Sequence, residues 1–107
     1  CDLSQLSAFG ARGSDRGQFD SPNGLCYYEG HLYVADTCNA RIQVLRILAG
    51  GAMRFEVAFG SRPLFGAPWG IAALRRAQAA SLLVSDAEQR RLQLFSLRGV
   101  PLCVLRM

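Results

Sequence analysis

Lysine is missing from this chain: all twelve of its basic residues are arginine. Histidine occurs once, at position 31, so a site with two or more histidine ligands cannot form within one chain. The four cysteines, Cys1, Cys26, Cys38 and Cys103, include no Cys-x-x-Cys pair, which leaves no zinc-ligand spacing and makes free thiols the simplest expectation. No stretch approaches the roughly 18 to 20 apolar residues of a membrane-spanning helix. No charged-then-apolar leader is visible at the N-terminus. Gly-x-Ser-x-Gly elbows, P-loops and dinucleotide fingerprints are absent, and the glycine-rich Arg12–Gly17 stretch has none of their spacings. Metal, membrane-helix and nucleotide chemistry therefore lack their usual signatures, and no cofactor is expected.

Half of the 107 residues are hydrophobic and 19% are charged, enough for one packed domain and too apolar for a disordered chain. The net charge of +4 permits nucleic acid as a partner without requiring it. Arginine holds phosphate and carboxylate bidentately, better than lysine does. Here the arginines are scattered, so the codon usage of a GC-rich genome is the plainer explanation of their monopoly.

The chain repeats itself. His31–Leu45 aligns without a gap on Ser81–Phe95, 50 residues later, and Phe9-Gly10 recurs as Phe59-Gly60 at the same offset. A Pro-x-Gly step occurs at Pro22-Asn23-Gly24 and again at Pro68-Trp69-Gly70. Its spacing is 46, and the second copy regains the missing residues in the stretch Ala73–Ala80. Each copy reads as four short strands. The first has Gly24–Tyr28, Leu32–Ala35, Arg41–Arg46 and Arg54–Phe59; the second has Ile71–Leu74, Leu82–Ser85, Leu92–Ser96 and Leu102–Leu105. Ile42 and Val44 alternate with Arg41 and Gln43, and Phe55, Val57 and Phe59 with Arg54, Glu56 and Ala58, the period of a strand with two unlike faces. Glu29-Gly30 marks a tight hairpin turn and Asp36–Asn39 a longer one. Ala72–Leu82 reads as a lengthened hairpin loop able to carry a helical turn. The expected fold class is all-β and antiparallel.

Phe9-Gly10, Gly17-Gln18-Phe19, Pro22-Asn23-Gly24-Leu25, Leu32-Tyr33-Val34-Ala35-Asp36, Asn39 and Arg41-Ile42-Gln43-Val44 follow one another as in the NHL repeat, which the chain resembles. The second copy keeps Asp86, Arg91, Leu92 and Gln93, replaces the asparagine by Gln89 and lacks the Gly-Gln-Phe segment. The resemblance covers nearly all of residues 1–107, with repeat 1 at about 9–58 and repeat 2 at about 59–107. It implies blades of a β-propeller, each a four-stranded antiparallel sheet, with residues 1–8 (Leu3–Ala8) as the outer strand of a preceding blade. Two blades fall short of the roughly four to eight of a closed propeller. Completion by missing blades, or by a homo-trimer supplying six, is therefore expected; the abrupt termini favour the former.

Asp36 and Asp86 could pass for catalytic acids. Each instead opens a turn of the form Asp-x-x-Asn/Gln-x-Arg, with Asn39 and Arg41 in one copy and Gln89 and Arg91 in the other. A carboxylate there accepts backbone N–H groups and pairs with the arginine. Its recurrence points to structure, because an active site needs its residues once. Some propellers that resemble this one are metal-assisted lyases, but they gather histidines around the channel, and His31 is expected in a solvent-facing turn. Catalysis is not expected. For binding, the resemblance places Asn23 and Trp69 at the start of the innermost strands on the upper rim, with Arg12 and Arg62 just after each Phe-Gly. A protein or peptide partner is the leading expectation. RNA, read by the arginines and Trp69, is the alternative, and a metal-dependent lyase or hydrolase fragment ranks below both. No membrane partner is expected, and the missing leader points to the cytoplasm.

Overall fold

Alternating apolar residues punctuated by Gly, Pro, Asp and Asn build two sheets in the computed structural model, which describes residues 13–60, 65–76 and 79–106. The first sheet has the order β1 (Pro22–Tyr28), β2 (His31–Asp36), β3 (Arg41–Ile47) and β4 (Met53–Phe59). The second has β5 (Pro68–Arg76), β6 (Ala79–Asp86), β7 (Arg91–Ser96) and β8 (Pro101–Arg106). Every neighbouring pair is antiparallel, as hairpin connections require. The helical content of the described residues is two short 3₁₀ turns, Thr37–Asn39 and Ala49–Gly51. The expected strand Leu3–Ala8 lies outside the described residues.

The sheets are two blades packed face to face. Tyr33, Ala35, Ile42 and Val44 of the first meet Leu82, Val84 and Phe95 of the second in one buried cluster. Phe95 is fully buried, with Phe59 and Phe65 each 5.4 Å from it by ring centroid. The opposite face of the first blade carries Leu32, Val34 and Leu45, fully buried beneath Phe19. The innermost strands β1 and β5 approach closely: a Cβ on Gly24 would clash with the backbone carbonyl oxygen of Trp69. Glycine in Pro-x-Gly is thus a packing requirement between blades.

Two sequence expectations need correction. The lengthened loop at Ala72–Leu82 is instead a longer hairpin: β5 runs to Arg76, which pairs with Ala79, so the extra residues extend both strands. Regular pairing satisfies their backbone groups better than a loop would. The single alternation proposed for Arg54–Phe59 is also broken. Val44 pairs with Val57 but the adjacent Leu45 pairs with Phe55, leaving Glu56 as a bulge. The extra residue reverses the strand's parity, so Met53 and Phe55 pack on the Phe19 side while Phe59 packs between the blades. The same bulge recurs in β8, where Leu94 pairs with Cys103 and Phe95 with Pro101.

Candidate functional site

Asp36 ends β2, and its fully buried carboxylate is saturated by its own surroundings. Oδ1 accepts the Asp20 N–H at 2.8 Å, and Oδ2 accepts from Asn39 Nδ2 at 3.0 Å, Arg41 Nε at 2.9 Å and Gln43 Nε2 at 3.0 Å. Those donors carry the network onward. Arg41 donates to the carbonyls of Ser14, Asp15 and Gln18, Asn39 to that of Gly13, and Gln43 to that of Gln18 at 2.6 Å. The Gln43 amide oxygen accepts the Gly17 N–H at 3.1 Å. One aspartate, one asparagine, one arginine and one glutamine therefore clamp the 13–20 loop across the end of the blade and seat Phe19 in its pocket.

In the second blade Asp86 is equally buried and accepts the N–H groups of Gly66, Ala67 and Gln89 at 2.8, 3.0 and 3.0 Å. Burial alone would push its carboxyl up. The Ala67, Gln89 and Gly66 N–H groups, with the positive charge of Arg91, overrule burial and hold it below the ordinary aspartate range. In both blades the carboxylate binds the chain that leads into the innermost strand. Ala40 and Arg90, the residues before each arginine, share a left-handed backbone (φ 53° and 54°) that reverses the chain.

Asn23 and Trp69 occupy matching irregularities. Pro22 pairs with Asp36 and Gly24 with Ala35, which leaves Asn23 as the bulged residue at the start of β1. In β5 the register shifts between Pro68 and Ile71, across Trp69 and Gly70. Bulges re-aim side chains, and Trp69 is left 52% exposed on a strand whose neighbours pack inward. Thr37 Oγ1 donates to the Pro68 carbonyl at 2.6 Å, locking the first blade's turn to this corner of the second. Arg12 and Arg62, expected on the same rim, lie outside the described residues.

His31 departs from expectation. It opens β2 rather than projecting from a solvent-facing turn, and its Nε2 lies 2.7 Å from Glu56 Oε2. Sequence reasoning also missed the cleft around that pair, about 490 Å³, lined by Tyr28, Glu29, His31, Tyr33, Val44, Glu56, Val57, Leu97 and Arg98. His31 and Tyr33 share a strand face by their spacing of two. Glu56 joins them through the bulge, which alternation could not reveal.

Among the described residues no group of three or more His, Cys, Asp or Glu is placed to hold a metal ion, and no helix is long and apolar enough to cross a membrane. Cys26, Cys38 and Cys103 are free thiols. No curated protein matches the chain. The NHL repeat family model matches residues 19–45, from Phe19 through β1 and β2 to Leu45 of β3, the segment that holds the Asp36 clamp. Residues 19–45 thus match an NHL repeat, and they lie in the first of two all-β, propeller-type blades.

Proposed function

We propose that this chain is a non-catalytic protein-interaction scaffold, whose blades present a peptide-binding rim and join further blades. Trp69 carries the reading. An indole half exposed at a bulge, on a strand anchored by Gly24 and Thr37, is rigid, amphipathic and already ordered. Such a group anchors a partner at low entropic cost. Asn23 adds an amide at the matching position of the neighbouring strand, and Arg12 and Arg62 are assigned to the same rim from the sequence. The Asp36 and Asp86 carboxylates, consumed by their own loops, supply scaffolding rather than chemistry.

Blade addition rests on the repeat. Leu83, Leu92 and Leu94 of the second blade occupy the places of Tyr33, Ile42 and Val44, which in the first blade are covered by its neighbour. With Leu74, Cys103 and Leu105 they line an open apolar groove of about 390 Å³. Further blades, from additional chain or from copies in a homo-trimer, would cover it as β6 and β7 cover the first.

Trp69 is the single tryptophan, so intrinsic fluorescence reports on the rim alone. Peptides selected from a display library on the immobilised chain should shift its emission to shorter wavelength, and Trp69→Ala should abolish their binding. Selected peptides that bind the Trp69→Ala chain undiminished would refute the rim. A polyuridine RNA bound more tightly than any peptide, with affinity falling steeply as salt rises, would replace the protein partner by RNA.

A further inference from the structure

The cleft of about 490 Å³ lies at the other end of the blades from Trp69. β1 begins beside Asn23 and ends at Tyr28, and the hairpin turns that frame the cleft, Glu29-Gly30 and Leu97–Gly99, sit where β1 and β7 end. Its floor and walls are Val44 and Val57 of the first blade and Leu97 of the second. Tyr33 lines this cleft and is 3% exposed. A phenol in the wall of a cavity presents an apolar ring and a polar tip to whatever occupies it.

The charges around it select the ligand. Both ring nitrogens of His31 already face oxygens: Nε2 is 2.7 Å from Glu56 Oε2 and Nδ1 is 3.1 Å from the Glu29 carbonyl. Among the described residues, Glu56 Oε1 has only Arg46, 3.8 Å away, and Glu29 only an exposed contact with Arg75 at 3.7 Å. The capacity left over is therefore acceptor capacity, from two carboxylates and the Tyr33 oxygen. Burial pushes the Tyr33 hydroxyl up from the ordinary tyrosine range, and Cys26, Glu56 and Glu29 add to it. Arg98 stands at the mouth, exposed to solvent, on the turn of the other blade.

We propose that this inter-blade cleft binds an organic cation, a guanidinium or ammonium group on an alkyl stem. The stem lies on Val44, Val57 and Leu97, and the head donates to Glu56 Oε1, Glu29 and the Tyr33 hydroxyl while resting against the Tyr28 and Tyr33 rings. An arginine or lysine side chain of a peptide and a free alkyl amine share this chemistry. The site is independent of the Trp69 rim.

The test is a chemical-shift titration of the 107-residue chain with n-butylguanidinium, with acetyl-Gly-Arg-Gly-amide and, as the opposite charge, with glutarate. Both cations should move the Tyr28–Tyr33 amides saturably, with Trp69 undisturbed. A tighter peptide assigns the cation to a protein partner; equal affinities assign it to a small molecule. Tyr33→Phe, which keeps the ring, and Glu56→Gln should each weaken binding about tenfold, the usual effect of losing a hydrogen bond to a charged group. Glu56→Gln, a half-exposed isosteric change, keeps the test decisive if Tyr33→Phe fails to fold. Absence of saturable shifts, affinities that neither variant alters, or tighter binding of glutarate would overturn the proposal.

Discussion

Replacing Asp36 by alanine tests whether the repeat's polar signature is a clamp. The substitution deletes the acceptor of four hydrogen bonds, from Asp20 N–H, Asn39, Arg41 and Gln43, inside a site with no exposure. Removing one partner of a buried ion pair typically costs about 3–5 kcal/mol. Arg41 keeps the carbonyls of Ser14, Asp15 and Gln18 and its side chain is 15% exposed, which places the loss near the lower end, at about 3 kcal/mol. For a domain of this size that corresponds to a fall in melting temperature of roughly 12–24 °C. Urea unfolding followed by far-ultraviolet circular dichroism measures the loss. Amide exchange across residues 13–20 should quicken in the same variant, because their carbonyls are held by Arg41, Asn39 and Gln43. A loss below about 1 kcal/mol, with residues 13–20 still protected, would refute the clamp.

Gly24→Ala drives a methyl group into the Trp69 carbonyl and should destabilise by about 1–3 kcal/mol, read by the same unfolding curves. Arg90→Gly removes the strain of a left-handed, exposed arginine and should leave stability unchanged or raised by up to about 1 kcal/mol. Asp86 is held below the ordinary aspartate range, so its contribution is complete above about pH 4 and is lost as pH falls through its lowered native value. Asp86→Asn should therefore be less stable at neutral pH and show a flatter acid limb in thermal melts taken between neutral pH and about pH 2. Cys26 is pushed up by burial, against a smaller downward pull from the Ala73 backbone, whereas Cys38 and Cys103 are exposed. Iodoacetamide followed by peptide mass spectrometry should find Cys38 and Cys103 alkylated well before Cys26.

The strands were legible because the chain states them twice. His31–Leu45 and Ser81–Phe95 agree at the positions that pair across β2 and β3 and across β6 and β7, so one copy corroborates the other. The Asp-x-x-Asn-x-Arg turn was legible because only a few residue types can close it. The bulges were not. Glu56, Asn23 and their counterparts in the second blade break the period of two, and a parity change leaves no mark in a pattern that is apolar on both faces. The hairpin at Arg76–Ala79 was misjudged because Ala, Arg and Gln favour helix, while pairing with the adjacent strand decides the outcome. The cleft needed all of this at once: His31 and Tyr33 come from β2, Glu56 from a bulge, and Leu97 and Arg98 from another blade.

Light scattering after size exclusion, over a range of concentrations, tests most directly the claim that the second blade offers a face for a further blade. The chain alone should exceed its single-copy mass of 11.7 kDa as concentration rises, and Leu94→Asp, in the middle of the open groove, should return it to that mass. A chain that stays at 11.7 kDa at every concentration, with Leu94→Asp indistinguishable from it, would contradict completion of the propeller by further copies of this chain.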